Sequence, residues 1–171
     1  MSANNSKNEP SYLEYKGKYK GILAWILSTD HKRIGLLYLY TMLIFFIVGA
    51  ILGLLMKFEL LAPGKTIMEP QAYNAFFTLH GVIMIFVIVI PGLPAVFGNF
   101  FLPILIGAKD VAFPRINLLS WYIYVFGIIL VLLSLVTGEG PPDTGWTFYA
   151  PYSFQTTGNM LPAVLGAFVL G

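Results

Sequence analysis

Long apolar runs alternate with short polar stretches along most of this chain. Three runs contain no Asp, Glu, Lys or Arg, and each is long enough for a membrane span, which takes about 20 helical residues; they cover 34–56, 74–106 and 118–136. A fourth apolar run, 160–171, is too short to span and is interpreted as the truncated start of another helix. The pattern predicts an all-α membrane protein with three spans and the beginning of a fourth, and we expect the chain to be a fragment.

The polar stretches predict the segments outside the membrane. Residues 1–19 hold too few apolar side chains to form a core and are predicted to be an unstructured tail. Residues 20–33 carry a short apolar run with Trp25 and flanking lysines, which favours an interfacial segment over a simple loop. Residues 137–159 are rich in Gly, Pro and aromatic residues and are predicted to form an outer loop.

Glycine and proline mark two places inside the predicted spans. Gly49 and Gly53 form a GxxxG pattern in the first span, and such a pattern allows close approach of a neighbouring helix. Pro91 and Pro94 lie in the middle of the second span. Since proline removes a backbone hydrogen bond and bends a helix, residues 74–106 are predicted to form a kinked helix.

Composition limits the class of protein. Hydrophobic residues make up 57% of the chain and charged residues 11%, whereas soluble domains carry about 25% charged residues. The composition therefore excludes a soluble domain. The absence of cysteine excludes disulfides and thiolate metal sites, and no basic motif indicates a nucleic-acid partner.

The distribution of basic residues predicts the orientation. Eight of the ten Lys and Arg residues lie before the first span or in the connection that contains Lys109 and Arg115. The positive-inside rule then predicts a cytoplasmic N-terminus and a cytoplasmic Asp110. His80 lies about six residues into the second span from the outer side, which at 1.5 Å per residue is roughly 9 Å deep.

His80 is the ionisable group of the charge-free stretch 70–108. Ionisable side chains at membrane depth are costly and are commonly functional. Two interpretations stay open from position alone: a histidine hydrogen-bonded to a neighbouring helix, or an axial ligand of a metal or haem. The second histidine, His31, lies at the opposite face and is interpreted as a solvated residue at headgroup level. Two histidines cannot by themselves build a three-histidine metal site.

Four stretches carry a family resemblance: STDHKRIGLLYLY, AYNAFFTLHGVIMIF, FGNFFLPILIGAKDVAFPRINLLSW and TGWTFYAPYS. In this order they resemble the N-terminal part of subunit I of haem–copper terminal oxidases of the cytochrome c oxidase type. The resemblance implies the first three helices, and the start of a fourth, of a twelve-helix-type bundle in a bacterial inner membrane. It also implies that electrons from cytochrome c pass through copper and haem, that oxygen is reduced to water, and that protons are pumped.

The resemblance implies roles at the outer end of the second span. His80 matches an axial ligand of the low-spin haem, which we expect to be of the a type. Trp146 and Tyr149 match an outer loop near haem propionates, although an interfacial aromatic belt is the plainer interpretation. Lys57 stands where many members have an arginine near the haem formyl group. The high-spin haem and copper are expected to bind through residues beyond Gly171.

The resemblance also implies a proton pathway at the inner end. Asp110 matches the acid at the mouth of the D-type proton channel, and without the family it reads as a helix cap. Asn99 and Asn117 match asparagines that hold water inside this mouth, and Tyr38 matches a tyrosine near the path. Leu118 follows Asn117 where the family usually has a second asparagine, which is a departure from the pattern.

Further expectations concern ions, partners and the electron donor. Glu59 and Gly64 match a peripheral cation site, with a solvated carboxylate and a turn glycine as the alternative. The implied partners are the remainder of subunit I, other subunits including a copper subunit, cytochrome c and lipid. The stretch Met56–Glu59 lacks the Arg/Asp pair of quinol-oxidising relatives, which favours cytochrome c. A quinol oxidase, a nitric oxide reductase relative and a non-haem transporter are the alternatives.

Overall fold

The computed structural model describes residues 19–138, 140–156 and 158–171, and this part of the chain is helical. The predicted tail, except for Tyr19, lies outside the described residues. The α-helices are α1 (Ile22–Ile26), α2 (His31–Glu59), α3 (Pro70–Val82), α4 (Gly98–Leu105), α5 (Pro114–Leu133), α6 (Tyr152–Gln155) and α7 (Met160–Leu170). Two π-helical segments, Ile83–Val89 and Gly92–Phe97, join α3 to α4.

Among the described residues, three helices are long and apolar enough to cross a membrane: His31–Glu59, Pro70–Leu105 and Pro114–Leu133. Each includes most of one predicted apolar run, and α7 covers the start of the fourth. The large side chains that face away from the helix contacts are apolar and exposed, as on α2, where they include Ile44, Ile47, Ile51 and Leu54. Such faces suit lipid and not water. The predicted all-α architecture is confirmed, and the protein is an integral membrane protein.

Helix α2 begins earlier than the predicted span because a polar side chain caps it. Asp30 is the N-cap residue, and its Oδ1 accepts a hydrogen bond of 2.8 Å from the Lys32 N–H. The short helix α1 is tied to α2 through Arg33, which is buried. The Arg33 guanidinium donates to the Ala24 carbonyl at 3.2 Å and lies 5.2 Å from the centroid of the Trp25 ring. These contacts attach the predicted interfacial segment to the first span.

The predicted interruption of the second span takes the form of the two π-helical segments. Pro91 lies between them and cannot donate to the Val87 carbonyl four residues earlier, because proline has no N–H. The Tyr124 hydroxyl of α5 donates to this carbonyl at 2.9 Å in a buried position. A side chain of the third span therefore satisfies a backbone group that the proline leaves free inside the second span.

Helices α5 and α7 pack closely through small residues. A Cβ placed on Gly166 would lie 2.6 Å from Val131 Cγ2 and 2.9 Å from the Gly127 carbonyl oxygen. A Cβ on Gly127 would lie 2.8 Å from Leu170 Cγ. Glycine at these two positions lets the backbones approach, as is common in membrane helix interfaces. The contact fixes α7 against the third span.

Replacing Tyr124 by Phe tests the role of its hydroxyl. Tyr124→Phe keeps the ring but leaves the Val87 carbonyl without its donor, so we expect a loss of about 1 kcal/mol in unfolding free energy. Thermal unfolding in detergent measures the change. Tyr40→Phe is the matched control, because Tyr40 is exposed on α2; equal effects of the two substitutions would contradict the assignment.

Candidate functional site

His80 lies near the end of α3 and faces the first span. Its Nδ1 lies 2.8 Å from the carbonyl oxygen of Gly49 in α2. A carbonyl oxygen can only accept, so Nδ1 carries the hydrogen and the lone pair of the neutral ring is on Nε2. Within the described part of the chain, Nε2 has no hydrogen-bond partner. The arrangement leaves Nε2 available to bind a ligand.

Gly53 allows the imidazole to lie against α2. A Cβ placed on Gly53 would lie 3.2 Å from Cε1 and 3.5 Å from Nδ1 of His80. Contacts of 3.2 Å are tighter than most real Cβ contacts, so any larger residue would press on the ring. Both glycines of the GxxxG pattern in the first span therefore lie against the histidine. The Gly49 carbonyl bonds the ring, and Gly53, which has no side chain, leaves room for it.

This geometry fits an axial haem ligand. Ligating imidazoles commonly donate their other N–H to a carbonyl, which fixes the tautomer and the ring orientation, and haem iron accepts a histidine nitrogen. No group of three or more His, Cys, Asp and Glu that could hold a metal ion occurs among residues 19–138, 140–156 and 158–171. The role of His80 as an axial ligand stays a prediction.

The outer loop covers the helix next to His80. Trp146 packs on Gly81, since a Cβ placed on Gly81 would lie 2.8 Å from Trp146 Cβ. The ring of Trp146 also lies 6.3 Å from that of Phe86, measured between centroids. Tyr149 is exposed. The two aromatic residues that the family pattern selected therefore differ: Trp146 packs on Gly81, the residue after His80, and Tyr149 is exposed.

A buried carboxylate holds the outer loop together. Asp143 is 6% exposed, and its two carboxylate oxygens accept hydrogen bonds from the Tyr152 hydroxyl at 3.0 Å and the Thr156 hydroxyl at 2.5 Å. The hydrogen bond to Asp143 raises the pKa of the Tyr152 phenol. Asp143 was not predicted from the sequence; its position in a loop without Lys or Arg was the signal that could have indicated it.

The Glu59 carboxylate ends α2 and organises the first connection. It accepts hydrogen bonds from the backbone N–H groups of Thr66, Ile67 and Met68 at 2.9, 2.6 and 2.9 Å. Gly64 has φ +85°, a left-handed conformation that favours glycine. These contacts give Glu59 a structural role in the turn, and the peripheral cation site stays a prediction. Lys57 is exposed on α2, one helical turn beyond Gly53.

Polar side chains of three helices meet toward the end of the spans that is near Asp110. The Asn117 amide donates to Asn99 Oδ1 at 2.5 Å, and the Asn99 amide lies 3.3 Å from Asn117 Oδ1. Ser120 Oγ donates to the Asn117 carbonyl at 2.7 Å. The Tyr38 hydroxyl lies 2.9 Å from Ser120 Oγ. Since the serine hydrogen is already used, Tyr38 must donate to Ser120, and the bonds form a directed chain.

Asp110 forms a pair with His31. The Asp110 Oδ1 lies 2.8 Å from His31 Nδ1, and the side chains are 44% and 7% exposed respectively. The Val111 N–H donates to the same carboxylate at 2.7 Å. The interpretation of His31 as a solvated residue is therefore wrong: it is buried because Asp110, 79 residues later, supplies its partner. The pair joins the start of α2 to the connection before α5.

A cavity continues from the asparagine pair toward the middle of the spans. Its volume is about 350 Å³; most of its lining is apolar, and Tyr38, Asn117, Ser120 and Tyr124 supply the polar groups. A water molecule occupies about 30 Å³ in the liquid and needs polar partners, so a space of this size and lining can hold several waters. The cavity lies beside the prolines of the second span.

The sequence and its relatives point to one family. The sequence model described as "Cytochrome C and Quinol oxidase polypeptide I" matches residues 33–171. The chain belongs to this family. The resemblance seen in the four sequence stretches is thereby confirmed.

Several bacterial members of the family are similar to this chain. A "Probable cytochrome c oxidase subunit 1-alpha" of Streptomyces avermitilis is 43% identical over 132 residues, which are 77% of this chain and 23% of the relative. A "Cytochrome c oxidase subunit 1" of Corynebacterium diphtheriae is 41% identical over 139 residues, 79% of this chain and 24% of the relative. The chain therefore spans about a quarter of the length of these relatives.

The polar contacts of Ser120, His31 and Thr78 were also not predicted from the sequence. Ser120 lies one helical turn after Asn117, and this spacing was the signal that could have found it. The pairing of His31 with Asp110 and the bond between Thr78 and Gly145 join residues that are distant in sequence. Such long-range partners leave no local pattern.

Adding a methyl group at Gly53 tests the close contact with His80. Gly53→Ala should displace or rotate the imidazole, because the new Cβ would lie 3.2 Å from Cε1. The ¹⁵N chemical shifts of labelled His80 should change. Gly98→Ala is the matched control, since a Cβ there meets no atom within 4 Å. Unchanged His80 shifts in Gly53→Ala would show that the ring does not depend on this glycine.

Proposed function

We propose that this chain is part of the catalytic subunit of a respiratory terminal oxidase that reduces oxygen to water with electrons from cytochrome c and pumps protons. The chain contributes one axial ligand of the low-spin haem, His80, and the entrance of a proton pathway at Asp110. The observation that carries the proposal is the hydrogen bond from His80 Nδ1 to the Gly49 carbonyl. Because Nδ1 carries the hydrogen, the lone pair of Nε2 is available to bind iron. The chain belongs to this oxidase family.

The residues around His80 prepare it for this role. The Gly49 carbonyl fixes the ring orientation and makes Nε2 a better electron donor. Gly53 keeps the space beside the ring free, and Lys57 brings a positive charge one turn further out on the same helix. The haem, when bound, supplies one-electron transfer at a potential that axial ligation and burial set. Lysine lacks the planar fork of arginine, so its contact to a haem substituent differs from that of many relatives.

The inner end is suited to collecting and passing protons. Asp110 is partly exposed and can exchange protons with water, while its partner His31 is buried and can share the charge. The amide pair of Asn99 and Asn117, followed by Ser120 and Tyr38, offers donors and acceptors that can order water. The cavity of about 350 Å³ extends this polar path inward. These features support a proton inlet on the cytoplasmic side.

The electron donor, the partner subunits and the membrane location of the protein follow from the same proposal. The similar bacterial proteins are named as cytochrome c oxidase subunits, and we propose cytochrome c, not quinol, as the electron donor. The remaining helices of subunit I, a copper subunit, an a-type low-spin haem, the high-spin haem and copper complete the oxidase. The membrane is the bacterial inner membrane, with the N-terminus in the cytoplasm.

Removing the imidazole of His80 tests the haem-ligand proposal. His80→Ala in the complete oxidase should abolish the low-spin haem absorption band, because alanine has no ligand atom. His31→Ala is the matched control: it removes the other histidine of the chain, and the band should persist. A low-spin band that survives in His80→Ala refutes the ligand assignment.

Neutralising Asp110 tests the proton inlet. Asp110→Asn keeps the shape of the side chain but removes its proton affinity, so we expect proton uptake to slow by about tenfold or more. Asp30→Asn provides the control, because asparagine caps a helix as well as aspartate does. Flow-flash measurements with a pH dye record the uptake rate. Equal rates in the wild type and Asp110→Asn would contradict the assignment.

A further inference from the structure

The Thr78 hydroxyl links the outer loop to the helix that carries His80. Thr78 is fully buried. Its Oγ1 donates to the Asn74 carbonyl at 2.8 Å and accepts the backbone N–H of Gly145 at 2.7 Å. The hydroxyl donates its one hydrogen to the Asn74 carbonyl, and a lone pair of its oxygen accepts the Gly145 N–H of the loop. This bond joins positions 67 residues apart.

The backbone at Gly145 brings Trp146 onto the helix. Gly145 has φ +84°, a left-handed conformation that side chains disfavour, and a Cβ there would lie 3.6 Å from Phe77 Cε1. The next residue, Trp146, packs on Gly81, where an added Cβ would lie 2.8 Å from its Cβ and Cδ1. One hydrogen bond thus places a large aromatic side chain against the residue that follows His80.

Other hydrogen bonds connect residues of the outer loop to one another. Asp143 accepts the hydroxyl groups of Tyr152 and Thr156, and the Asn159 N–H donates to the Gly140 carbonyl at 3.3 Å. Because these bonds stay inside the loop, they stiffen it without fixing its position on α3. The Thr78 bond, together with the packing of Trp146 on Gly81, attaches this stiff loop to α3.

We propose that Thr78 is a positioning residue: its bond to Gly145 seats Trp146 on Gly81 and closes the outer side of the His80 surroundings against water. The inference rests on the proposed function, since it concerns the surroundings of a haem ligand. Water beside the haem stabilises the more highly charged ferric state and lowers the reduction potential. Loss of the bond should therefore loosen the loop and lower the potential, while His80 still binds.

Two substitutions at Thr78 test this inference in the complete oxidase. Thr78→Val has nearly the same shape but cannot accept the Gly145 N–H, whereas Thr78→Ser keeps the hydroxyl. Hydrogen–deuterium exchange of peptides that contain Gly145 and Trp146 reports the loop, and a redox titration reports the low-spin haem. In Thr78→Val we expect about tenfold faster exchange and a lower midpoint potential, with the low-spin band retained. Thr78→Ser should match the wild type in both.

The other outcomes overturn the inference. Unchanged exchange in Thr78→Val, or a Thr78→Ser variant that behaves like it, shows that the bond does not hold the loop. Faster exchange with an unchanged potential shows that the loop does not shield the haem. A wild-type oxidase without a low-spin band instead contradicts the proposed function, and the exchange data still report on the hydrogen bond between Thr78 and Gly145.

A second substitution keeps the test valid if Thr78→Val fails to fold. Gly81→Ala leaves the Thr78 bond intact and forces Trp146 off the helix, because the new Cβ would lie 2.8 Å from it. It should also speed exchange of the loop and lower the potential. A normal potential in Gly81→Ala overturns the proposal that a seated Trp146 shields the haem.

Discussion

The hydrogen bond between His80 and the Gly49 carbonyl is the constraint on which the outer half of this structure depends. It requires α2 and α3 to approach closely, and glycine at positions 49 and 53 makes that approach possible. It also decides which ring nitrogen carries the hydrogen. A single interhelical bond thereby joins the two spans and fixes the tautomer of the imidazole.

Side-chain hydrogen bonds to backbone carbonyls also stabilise the middle of the bundle and the part near Asn99. Inside a bilayer no water satisfies a backbone group that proline frees. Tyr124 donates to the carbonyl of Val87, and Asn99 donates to the carbonyl of Ala95 at 2.6 Å while it also pairs with Asn117. Tyr124 also lines the cavity beside the prolines of the second span, so one side chain both bonds that span and supplies a polar group to the cavity.

Helix α2 connects the two candidate sites. At its N-terminal end His31 binds Asp110, and further along Gly49 and Gly53 hold His80. The second span carries His80 near its N-terminal end and Asn99 near its C-terminal end. Under the proposed function, the first two spans join a haem ligand to a proton inlet. The outer loop adds a third element, since Thr78 and Trp146 fix it beside the histidine.

The sequence by itself determined the membrane class, the three spans, the start of a fourth helix and the family, because apolar length and motif order are local properties. It also selected His80, Asp110, Asn99, Asn117 and Tyr38 through the family pattern. The prediction from sequence that His31 is solvated was wrong, and roles for Ser120 and Thr78 were not predicted. Only the tertiary structure decided these, because their partners lie on other elements: burial of a polar group depends on what packs against it, and neighbours in space need not be neighbours in sequence.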